Sequence, residues 1–527
     1  MGILTRFSVL ACCLCLAANP AVSQRQARPP RQAPVDLATT PASLTPGLLP
    51  VRSCESLTSV SLPNTTIVSA VPDAGDGRTP PSCRITATVT HPPAGDSVKI
   101  WVGLPSENWN GRFRGAGGGG FSGGNERGIL RPLSLGFATA ATDTGHEGNS
   151  AEFALGADGR PEWMLIRDNA YLGIHEMTVV AKALTAEYYG TPARYSYFAD
   201  CSTGGRQGLM EAQRYPADYD GILAGAPAIN WPKLHVAQMW GQLVMLEADH
   251  FVPACKFEAA RAASVKACDG IDGVEDDLVQ DPLRCKYDPA ELVGASTADC
   301  GAITQADADI IRMIWEGPRR KDGSFLWYGL ARGADFRGLN ATTDGAGAPF
   351  RTMMRWYQYF LTQDPDWDWT TLTHESFEHF WDQSNEQFGG VIGSDNPDLS
   401  AFHERGGKAI VWHGWSDQLI YAQGTIDYYE RVRHEMGEQT SDFIRLFMAP
   451  GVAHCRGGSG PQPDEHFGAL MDWVEAGHAP DSIRSVRRND AGEVIRTRPL
   501  CPYPLVPKYK GSGSTDDASN FQCSFGF

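Results

Sequence analysis

The residues with the clearest chemistry are a serine, an aspartate and a histidine that each follow an apolar run. Ser202 lies between an aromatic run, 195–199, and a helical pattern that begins at Gln207. A serine on a sharp turn between a strand and a helix is typical of a nucleophile elbow. Asp417 and His454 follow two later apolar runs. The order serine, aspartate, histidine predicts a triad in which His454 activates Ser202 and Asp417 orients His454.

Each of these residues also has a plainer interpretation. Ser202 fits an incidental serine in a glycine-rich turn, Asp417 a turn residue, and His454 a structural histidine. Two other histidines compete for the role of base: His413, which lies on a strand rather than beyond it, and His146, which precedes the serine. The joint pattern favours the triad over these alternatives.

A run of glycines precedes the serine. Residues 115–124 contain seven glycines, which let a backbone adopt positive φ and approach a ligand closely. The run lacks the Lys-Ser/Thr pair of a phosphate loop and the spacing of a dinucleotide-binding turn. An oxyanion loop, in which a backbone N–H faces developing charge, is the interpretation that fits a triad. A plain flexible loop is the alternative.

Acidic residues and glycine turns alternate over residues 268–278. Asp269, Asp272 and Asp276 offer carboxylates, and Val274 and Leu278 offer backbone carbonyls. Hard oxygen ligands at such spacing suit calcium, although the spacing is not that of an EF-hand. The sequence therefore predicts a calcium site, with a solvated acidic turn as the alternative.

Strand-like and helix-like runs alternate around these residues. Runs at 84–89 and 98–104 are typical of strands, and 175–189 carries apolar residues at helical spacing. This alternation predicts an α/β class.

A long insertion interrupts the alternation. After Pro227 the chain becomes rich in tryptophan, aspartate and aromatic residues, and the α/β pattern returns at Lys408. We therefore predict an α/β-hydrolase core formed by residues 51–227 and 401–527. A large lid domain, 228–400, is inserted after the half that carries the nucleophile.

The first 50 residues predict export. Arg6 precedes an apolar stretch, and small residues allow cleavage near Ser23, so residues 1–23 are interpreted as a signal peptide. Lipoprotein cleavage at Cys12 leaves almost no apolar region. Residues 24–50 are rich in proline, glutamine and alanine and predict a disordered lead-in. The mature protein is expected to be periplasmic or secreted.

The composition limits the classes of molecule that the protein is expected to bind. The chain has 527 residues and a net charge of −17, which argues against nucleic acids and anionic membranes. No later stretch is apolar enough to cross a membrane. We expect a small-molecule substrate and no organic cofactor.

Ten cysteines follow the predicted signal peptide. An even number in an oxidising compartment implies disulfides, and none of the ten has the CxxC spacing of a zinc site. Cys201 and Cys455 adjoin Ser202 and His454, so a bridge between them would hold the nucleophile to the base.

Three motifs resemble those of one family. Residues 201–208 (CSTGGRQG), 413–417 (HGWSD) and 450–455 (PGVAHC) are similar to the motifs of the tannase and feruloyl esterase family, which includes mono(2-hydroxyethyl) terephthalate hydrolase. The resemblance covers residues 54–523. It implies an α/β-hydrolase core, a lid that binds an aromatic acid, and calcium in the lid. It also implies the triad above, with the backbone N–H groups of Gly119 and Thr203 as oxyanion donors.

The resemblance implies disulfide pairs as well. They are Cys201–Cys455, Cys54–Cys83, Cys268–Cys285 and Cys501–Cys523, which leaves Cys255–Cys300 by elimination.

Two residues depart from the family pattern. Asp200 stands two positions before the serine, where the family usually has glycine, and its carboxylate is expected to crowd the elbow or alter its field. Thr203 stands where the terephthalate hydrolase has glutamate, which favours galloyl, feruloyl or related phenolic esters.

These observations predict a serine carboxylesterase for esters of aromatic acids. Trp356, Tyr357 and Phe360 of the lid are candidates to sandwich the substrate ring, and a core role fits them equally. The alternatives are a terephthalate half-ester hydrolase, a secreted serine peptidase, and a non-catalytic calcium-dependent binding protein.

Overall fold

The secondary structure follows the predicted alternation of strands and helices. This computed structural model describes residues 1–2, 40–297 and 300–526; the predicted signal peptide and residues 24–39 lie outside the described residues, except Met1 and Gly2. The strands are β1 (Thr65–Asp73), β2 (Ser82–Val89), β3 (Val98–Pro105), β4 (Arg112–Gly115), β5 (Ala138–Thr142), β6 (Tyr195–Cys201), β7 (Gly221–Gly225), β8 (Ser296–Thr297), β9 (Gly301–Ala302), β10 (Thr342–Thr343), β11 (Ala346–Gly347), β12 (Lys408–Gly414), β13 (Ile444–Ala449), β14 (Gln462–Pro463), β15 (Ile483–Arg488), β16 (Val494–Leu500), β17 (Leu505–Tyr509) and β18 (Phe521–Phe525). The helices are α1 (Leu130–Ser134), α2 (Trp163–Arg167), α3 (Gly173–Tyr189), α4 (Thr203–Arg214), α5 (Trp231–Ala237), α6 (Trp240–Glu247), α7 (Ala254–Cys268), α8 (Gln305–Glu316), α9 (Arg351–Arg355), α10 (His374–Ile392), α11 (Ser400–Glu404), α12 (Ala422–Met436) and α13 (His466–Ala476).

A nine-stranded sheet carries the predicted triad. Its order is β1-β2-β3-β5-β4-β6-β7-β12-β13. The first four strands in this order are antiparallel to one another, and the six from β5 to β13 are parallel. Strands β5 and β7 are buried along their whole length, as apolar strands covered on both faces should be. The α/β-hydrolase fold predicted from the alternation is therefore confirmed.

The segment between β7 and β12 packs through an aromatic core. Within the described residues it adds no strand to the nine-stranded sheet and forms α5 to α11 with short two-residue strands. Its core includes Trp231, Trp356 and Tyr357, and the same cluster includes Phe121 and Phe153 from the part of the chain before β6. This lid segment and the glycine-rich run therefore share one hydrophobic core.

Residues 40–50 and the C-terminal part of the chain contact the nine-stranded sheet, the latter through the Tyr503 N–H, which donates to the Leu446 carbonyl at 2.7 Å. Residues 40–50 are the described part of the predicted lead-in, and here the Leu44 N–H donates to the Asn110 carbonyl at 3.1 Å. Arg112 Nη1 donates to the Ala42 carbonyl at 2.8 Å. At the other end, β14, β15 and β16 form a small antiparallel sheet, and β17 and β18 pair as a hairpin. No helix in the described chain is long and apolar enough to cross a membrane.

Five disulfides join the ten described cysteines. They are Cys54–Cys83, Cys201–Cys455, Cys255–Cys300, Cys268–Cys285 and Cys501–Cys523. These are the pairs that the family resemblance and elimination predicted.

Candidate active site

Ser202 lies on a tight turn between β6 and α4. Its φ of 66° and ψ of −126° place a non-glycine residue in a region that is costly to occupy. Its N–H donates to the Gly225 carbonyl at 2.9 Å, which fixes the turn to β7. A Cβ on Gly204 would lie 2.5 Å from the Asp200 Cβ, and one on Gly205 would lie 2.6 Å from the Gly225 oxygen. The turn therefore requires glycine at both positions.

His454 and Asp417 come from the ends of the two neighbouring strands. Nε2 of His454 lies 3.0 Å from Oγ of Ser202, and Nδ1 lies 2.8 Å from Oδ2 of Asp417. The His454 N–H donates to the side-chain oxygen of Gln418 at 3.1 Å. The structure thus brings together the three residues that the chain order singled out, in one hydrogen-bonded chain from Ser202 to His454 to Asp417.

Asp417 is buried and fully hydrogen-bonded. Its Oδ1 accepts the N–H groups of Leu419 and Ile420, both at 2.8 Å. Its Oδ2 accepts from His454 and also from Nε2 of His413, at 3.0 Å. Burial alone raises the pKa of Asp417, but the charge of His454 and the hydrogen bonds from both histidines outweigh it and lower this pKa below its usual range. Asp417 is therefore an anion that can hold His454 in one orientation.

Neither competing histidine replaces His454. Nε2 of His413 faces Asp417 and the Ile420 carbonyl at 3.2 Å, so this nitrogen carries the hydrogen, and Nδ1 accepts from the Thr425 hydroxyl at 2.8 Å. His413 thus supports the acid. The ring of His146 stacks on Phe153 at 4.0 Å, and burial lowers the pKa of His146 to about 4.

Asp200 holds the glycine-rich run. Its Oδ2 accepts the Gly117 N–H at 3.0 Å, and its Oδ1 accepts the N–H of Cys201 at 2.8 Å. The expected crowding is thus relieved by the glycine at position 204. The carboxylate spans the gap between the elbow and the glycine-rich run, a function that the family comparison did not indicate.

Helix α4 anchors the same loop through two further side chains. Oε1 of Gln207 accepts the Gly118 N–H at 3.0 Å, and its Nε2 donates to the Gly123 carbonyl at 3.1 Å. The Thr203 hydroxyl donates to the Gly120 carbonyl at 2.7 Å. These contacts place the loop of Gly119 beside the first turn of α4. Because protein side chains accept these backbone N–H groups, the arrangement argues against a phosphate loop.

The disulfide Cys201–Cys455 joins the two sides of the site. Its Cα atoms lie 5.9 Å apart, and it links the residue before Ser202 to the residue after His454 across 254 positions of sequence. The bridge therefore fixes the backbone of the base to that of the nucleophile.

The three lid aromatics are buried in the lid core. Trp356 and Tyr357 have no exposed surface, and Phe360 is 1% exposed. Nε1 of Trp356 donates to the Ser384 hydroxyl at 3.0 Å, and the ring of Phe360 stacks on that of Phe121 at 5.7 Å. Contact with a substrate ring stays a prediction, and it requires neighbouring side chains to move.

A cavity of about 840 Å³ lies next to the loops that carry Asp417 and His454, although neither these two residues nor Ser202 lines it. Its walls include Phe257 and Phe336 of the lid, with Ser416, Gln418 and Ala453 next to the triad. The volume lies within the range of small-molecule sites.

The acidic loop of the lid offers oxygen ligands of the kind that calcium prefers. Oδ1 of Asp269 accepts the N–H groups of Asp276 and Leu278 at 2.9 and 3.2 Å, and Oδ1 of Asp272 accepts the Val274 N–H at 3.0 Å. Burial, with the charges of Asp276 and Asp269, raises the pKa of Asp272 to about 6.

Two observations count against a preformed ion site in this loop. Arg498 pairs with Asp276. Two other clusters of the described chain, and not this loop, bring three histidine or carboxylate ligand atoms within 4.8 Å of one another. Calcium binding here therefore stays a prediction.

Known proteins resemble this chain over most of its length. A sequence model described as "Tannase and feruloyl esterase" matches residues 83–524. The probable feruloyl esterase of Arthroderma benhamiae is 41% identical over 464 residues, which covers 84% of this chain and 86% of that protein. The mono(2-hydroxyethyl) terephthalate hydrolase of Piscinibacter sakaiensis is 34% identical over 497 residues, 81% of each. The crystal structure of feruloyl esterase B from Aspergillus oryzae shares 27% identity at a TM-score of 0.79, over 90% of this chain and 100% of that chain.

The fold and these matches define a class. The protein is a carboxylic ester hydrolase with an α/β-hydrolase fold. More narrowly, the chain belongs to the tannase and feruloyl esterase family, as its three motifs predicted.

Proposed function

We propose that this chain is a serine carboxylesterase that hydrolyses esters of aromatic, phenolic acids, such as feruloyl or galloyl esters, through an acyl-enzyme. The observation that carries the proposal is the hydrogen-bonded chain from Ser202 to His454 to Asp417, at 3.0 and 2.8 Å. It occurs in a chain whose family hydrolyses carboxylic esters.

The proposed reaction has two halves. The Ser202 hydroxyl attacks the ester carbonyl while Nε2 of His454 takes its proton, and Asp417 stabilises the imidazolium that forms. The backbone N–H groups of Thr203 and Gly119 stabilise the oxyanion. His454 then protonates the departing alcohol. In the second half His454 activates a water, which attacks the acyl carbonyl and releases the acid.

The substrate class is supported by the relatives and by one residue. Probable feruloyl esterases are among the most similar relatives. Thr203 gives α4 a short neutral side chain next to the nucleophile, and its hydroxyl is already used by the Gly120 carbonyl. The match to the terephthalate half-ester hydrolase favours that half-ester as a second candidate substrate.

Calcium in the lid and export are part of the proposal. The carboxylates of Asp269, Asp272 and Asp276, with the carbonyls of Val274 and Leu278, would hold calcium, which would fix the loop that follows α7 within the lid. Arg498 would have to share Asp276 with the ion. Five disulfides favour an oxidising, extracellular or periplasmic compartment.

An ester panel tests the proposal. We expect wild type to hydrolyse methyl ferulate, methyl gallate or p-nitrophenyl esters and to react with a fluorophosphonate probe, and Ser202→Ala to lose both properties. Ser134→Ala, far from the site, is the matched control and should keep both. Hydrolysis of the terephthalate half-ester alone would favour the second candidate, and preference for amides would favour a peptidase. A wild type that neither reacts with the probe nor hydrolyses any ester would refute the esterase and favour a binding protein.

A further inference from the structure

A second cluster of ionisable side chains lies outside the triad. His91 follows β2 and Asp96 precedes β3. Asp168 begins the π-helical segment between α2 and α3, and Glu176 lies in the first turn of α3. Single ligand atoms of His91, Asp168 and Glu176 lie within 4.8 Å of one another. Around an ion with bonds of about 2.0–2.2 Å, neighbouring ligands are separated by roughly 3–4 Å, so the three groups need only small movements to share one ion.

Asp168 lacks any partner in this cluster. The residue has no exposed surface, and among the described residues neither of its carboxylate oxygens has a hydrogen-bond partner. One oxygen of Glu176 is likewise buried without a partner. A buried carboxyl group without a partner is strongly unfavourable, and such exceptions call for a missing ligand.

The charges of the cluster do not balance. Three carboxyl groups, those of Asp96, Asp168 and Glu176, surround one imidazole, and Arg167 is the further cation that acts on Asp168. A divalent cation between the three ligands would compensate the excess negative charge.

We propose that His91, Asp168 and Glu176 bind a divalent transition-metal ion, with zinc as the best match. Nδ1 of His91 lies 2.6 Å from Oδ2 of Asp96, so the ring donates its other N–H to a carboxylate, as metal-binding histidines usually do. Nε2 then faces Glu176 at 2.6 Å, and the ion takes the place of the proton between them. An imidazole with two carboxylates suits zinc, whereas calcium and magnesium prefer oxygen ligands alone.

A neighbouring cluster differs in this respect. His175, Glu211 and Asp218 also offer three ligand atoms within 4.8 Å. There too a buried acid, Glu211, has no hydrogen-bond partner among the described residues. However, Nδ1 of His175 faces Asp218, a member of the same cluster, at 2.6 Å. Nδ1 of His91 is instead held by Asp96, outside the three ligands, which makes the first cluster the stronger metal site.

The proposed site would stabilise the support of the glycine-rich run. It joins the β2–β3 connection to α3 and to the π-helical segment that contains Asp168. The next residue, Asn169, donates its side-chain N–H to the Phe121 carbonyl at 2.8 Å. The site lies between the β2–β3 connection and α3, and it is separate from the acidic loop of the lid. The side chains of His91 and Glu176 are 20% and 16% exposed, which gives an ion a route in from solvent.

Zinc binding by the full chain tests the proposal. Wild type, loaded with zinc and dialysed, should retain about one equivalent of zinc by elemental analysis. This is the amount expected for one site made of three protein ligands and one water. Asp168→Asn, which keeps the shape of the side chain, should lose this equivalent. Asp281→Asn, at a partly buried aspartate that accepts the Leu283 N–H and belongs to neither proposed metal site, is the matched control and should keep it. Calcium or magnesium should not displace the zinc.

A second measurement distinguishes the loss of a zinc ligand from misfolding of the variant. If Asp168→Asn does not give the circular dichroism spectrum of wild type, His91→Gln, at a partly exposed position, takes its place. Zinc should raise the melting temperature of wild type and leave that of the folded variant unchanged. A wild type that retains no zinc, or a folded variant that retains as much as wild type, overturns the proposal. Since no ester is used, this outcome is independent of the proposed esterase activity.

Discussion

The disulfide Cys201–Cys455 should affect both stability and catalysis, and a double substitution to alanine separates the two effects. The bridge links positions 254 residues apart and joins the backbones that carry Ser202 and His454. The matched control is Cys54→Ala with Cys83→Ala, which removes a bridge of separation 29 at the far edge of the sheet. Both variants lose one disulfide, but only the first touches the site.

The stability effect follows from loop closure. For a separation of 254 the chain-entropy relation gives about 5.5 kcal/mol. For a separation of 29 it gives about 3.6 kcal/mol. An unfolding entropy of about 2.1 cal/mol/K per residue over about 490 residues makes each kcal/mol worth about 1 °C. The melting temperature should therefore fall by about 5.5 °C without Cys201–Cys455 and by about 3.5 °C without Cys54–Cys83.

The catalytic effect should differ far more. Without the bridge, the backbone of His454 is held by its loop and by the bond to Gln418, while Asp417 holds only the ring. A displacement of about 1 Å at a reacting group lowers rates up to about 100-fold. We expect kcat for a p-nitrophenyl ester to fall at least tenfold in the Cys201/Cys455 variant. We expect it to change less than about twofold in the Cys54/Cys83 variant. Thermal unfolding and steady-state kinetics on the two oxidised variants measure both effects. Equal kcat in the two variants, at similar losses of stability, would refute a positioning role for Cys201–Cys455.

Four further predictions concern single side chains. Asp200→Ala removes an acceptor that holds the glycine-rich run, so kcat should fall about tenfold with little change in KM; unchanged kinetics would contradict this role. His413→Phe removes one donor to Asp417, and because a hydrogen bond to a charged group contributes about 1.5–3 kcal/mol, kcat/KM should fall about tenfold or more. Burial alone raises the pKa of Asp307, but a buried lysine and other hydrogen-bond donors outweigh it and lower this pKa from 3.8 to about 2. Because the pKa of Asp307 is lower in the folded than in the unfolded state, this group contributes about 2 kcal/mol to the free energy of unfolding above pH 4, and the contribution is lost as the pH falls to 2. In urea unfolding, the free energy of unfolding of Asp307→Asn should therefore approach that of wild type at acid pH. Chelation should lower the melting temperature by about 3 °C if calcium is present at about 100 times its Kd, and Asp272→Asn should remove that response.

The meeting of Ser202, His454 and Asp417 was predictable because each residue follows a strand pattern in the sequence, while their catalytic roles stay a prediction. Ser202 stands between a strand pattern and a helix pattern, and Asp417 and His454 follow the two apolar strands β12 and β13. Parallel strands bring such ends to one edge of a sheet. The disulfide pairs followed from motif similarity, since spacing alone leaves their connectivity open.

The supporting contacts were not predictable in the same way. The bond from the Gly118 N–H to Gln207 joins residues 89 positions apart, and that from Gly117 to Asp200 joins residues 83 apart. No periodicity marks such pairs. The role of His413 as a donor to Asp417 depends on which ring nitrogen faces the carboxylate, which only the folded geometry defines.

Short elements escaped the sequence patterns for a related reason. The two-residue strands of the lid, such as β8 and β10, are too short to show alternation. The small sheet that includes β15 and β16 has polar, half-exposed residues, because much of its surface faces solvent. Their pairing depends on the surrounding packing.

The stacking of Phe360 on Phe121 limits how the lid can be exchanged between relatives. Phe121 belongs to the hydrophobic core of the lid although its backbone continues the glycine-rich run. A chimaera with junctions at residues 228 and 400 would therefore replace half of a single core and leave the other half without its partners. A lid transplanted to alter substrate preference would need position 121, and Phe153 beside it, from the same donor. The residues that must be exchanged together with the lid are therefore not contiguous in the sequence.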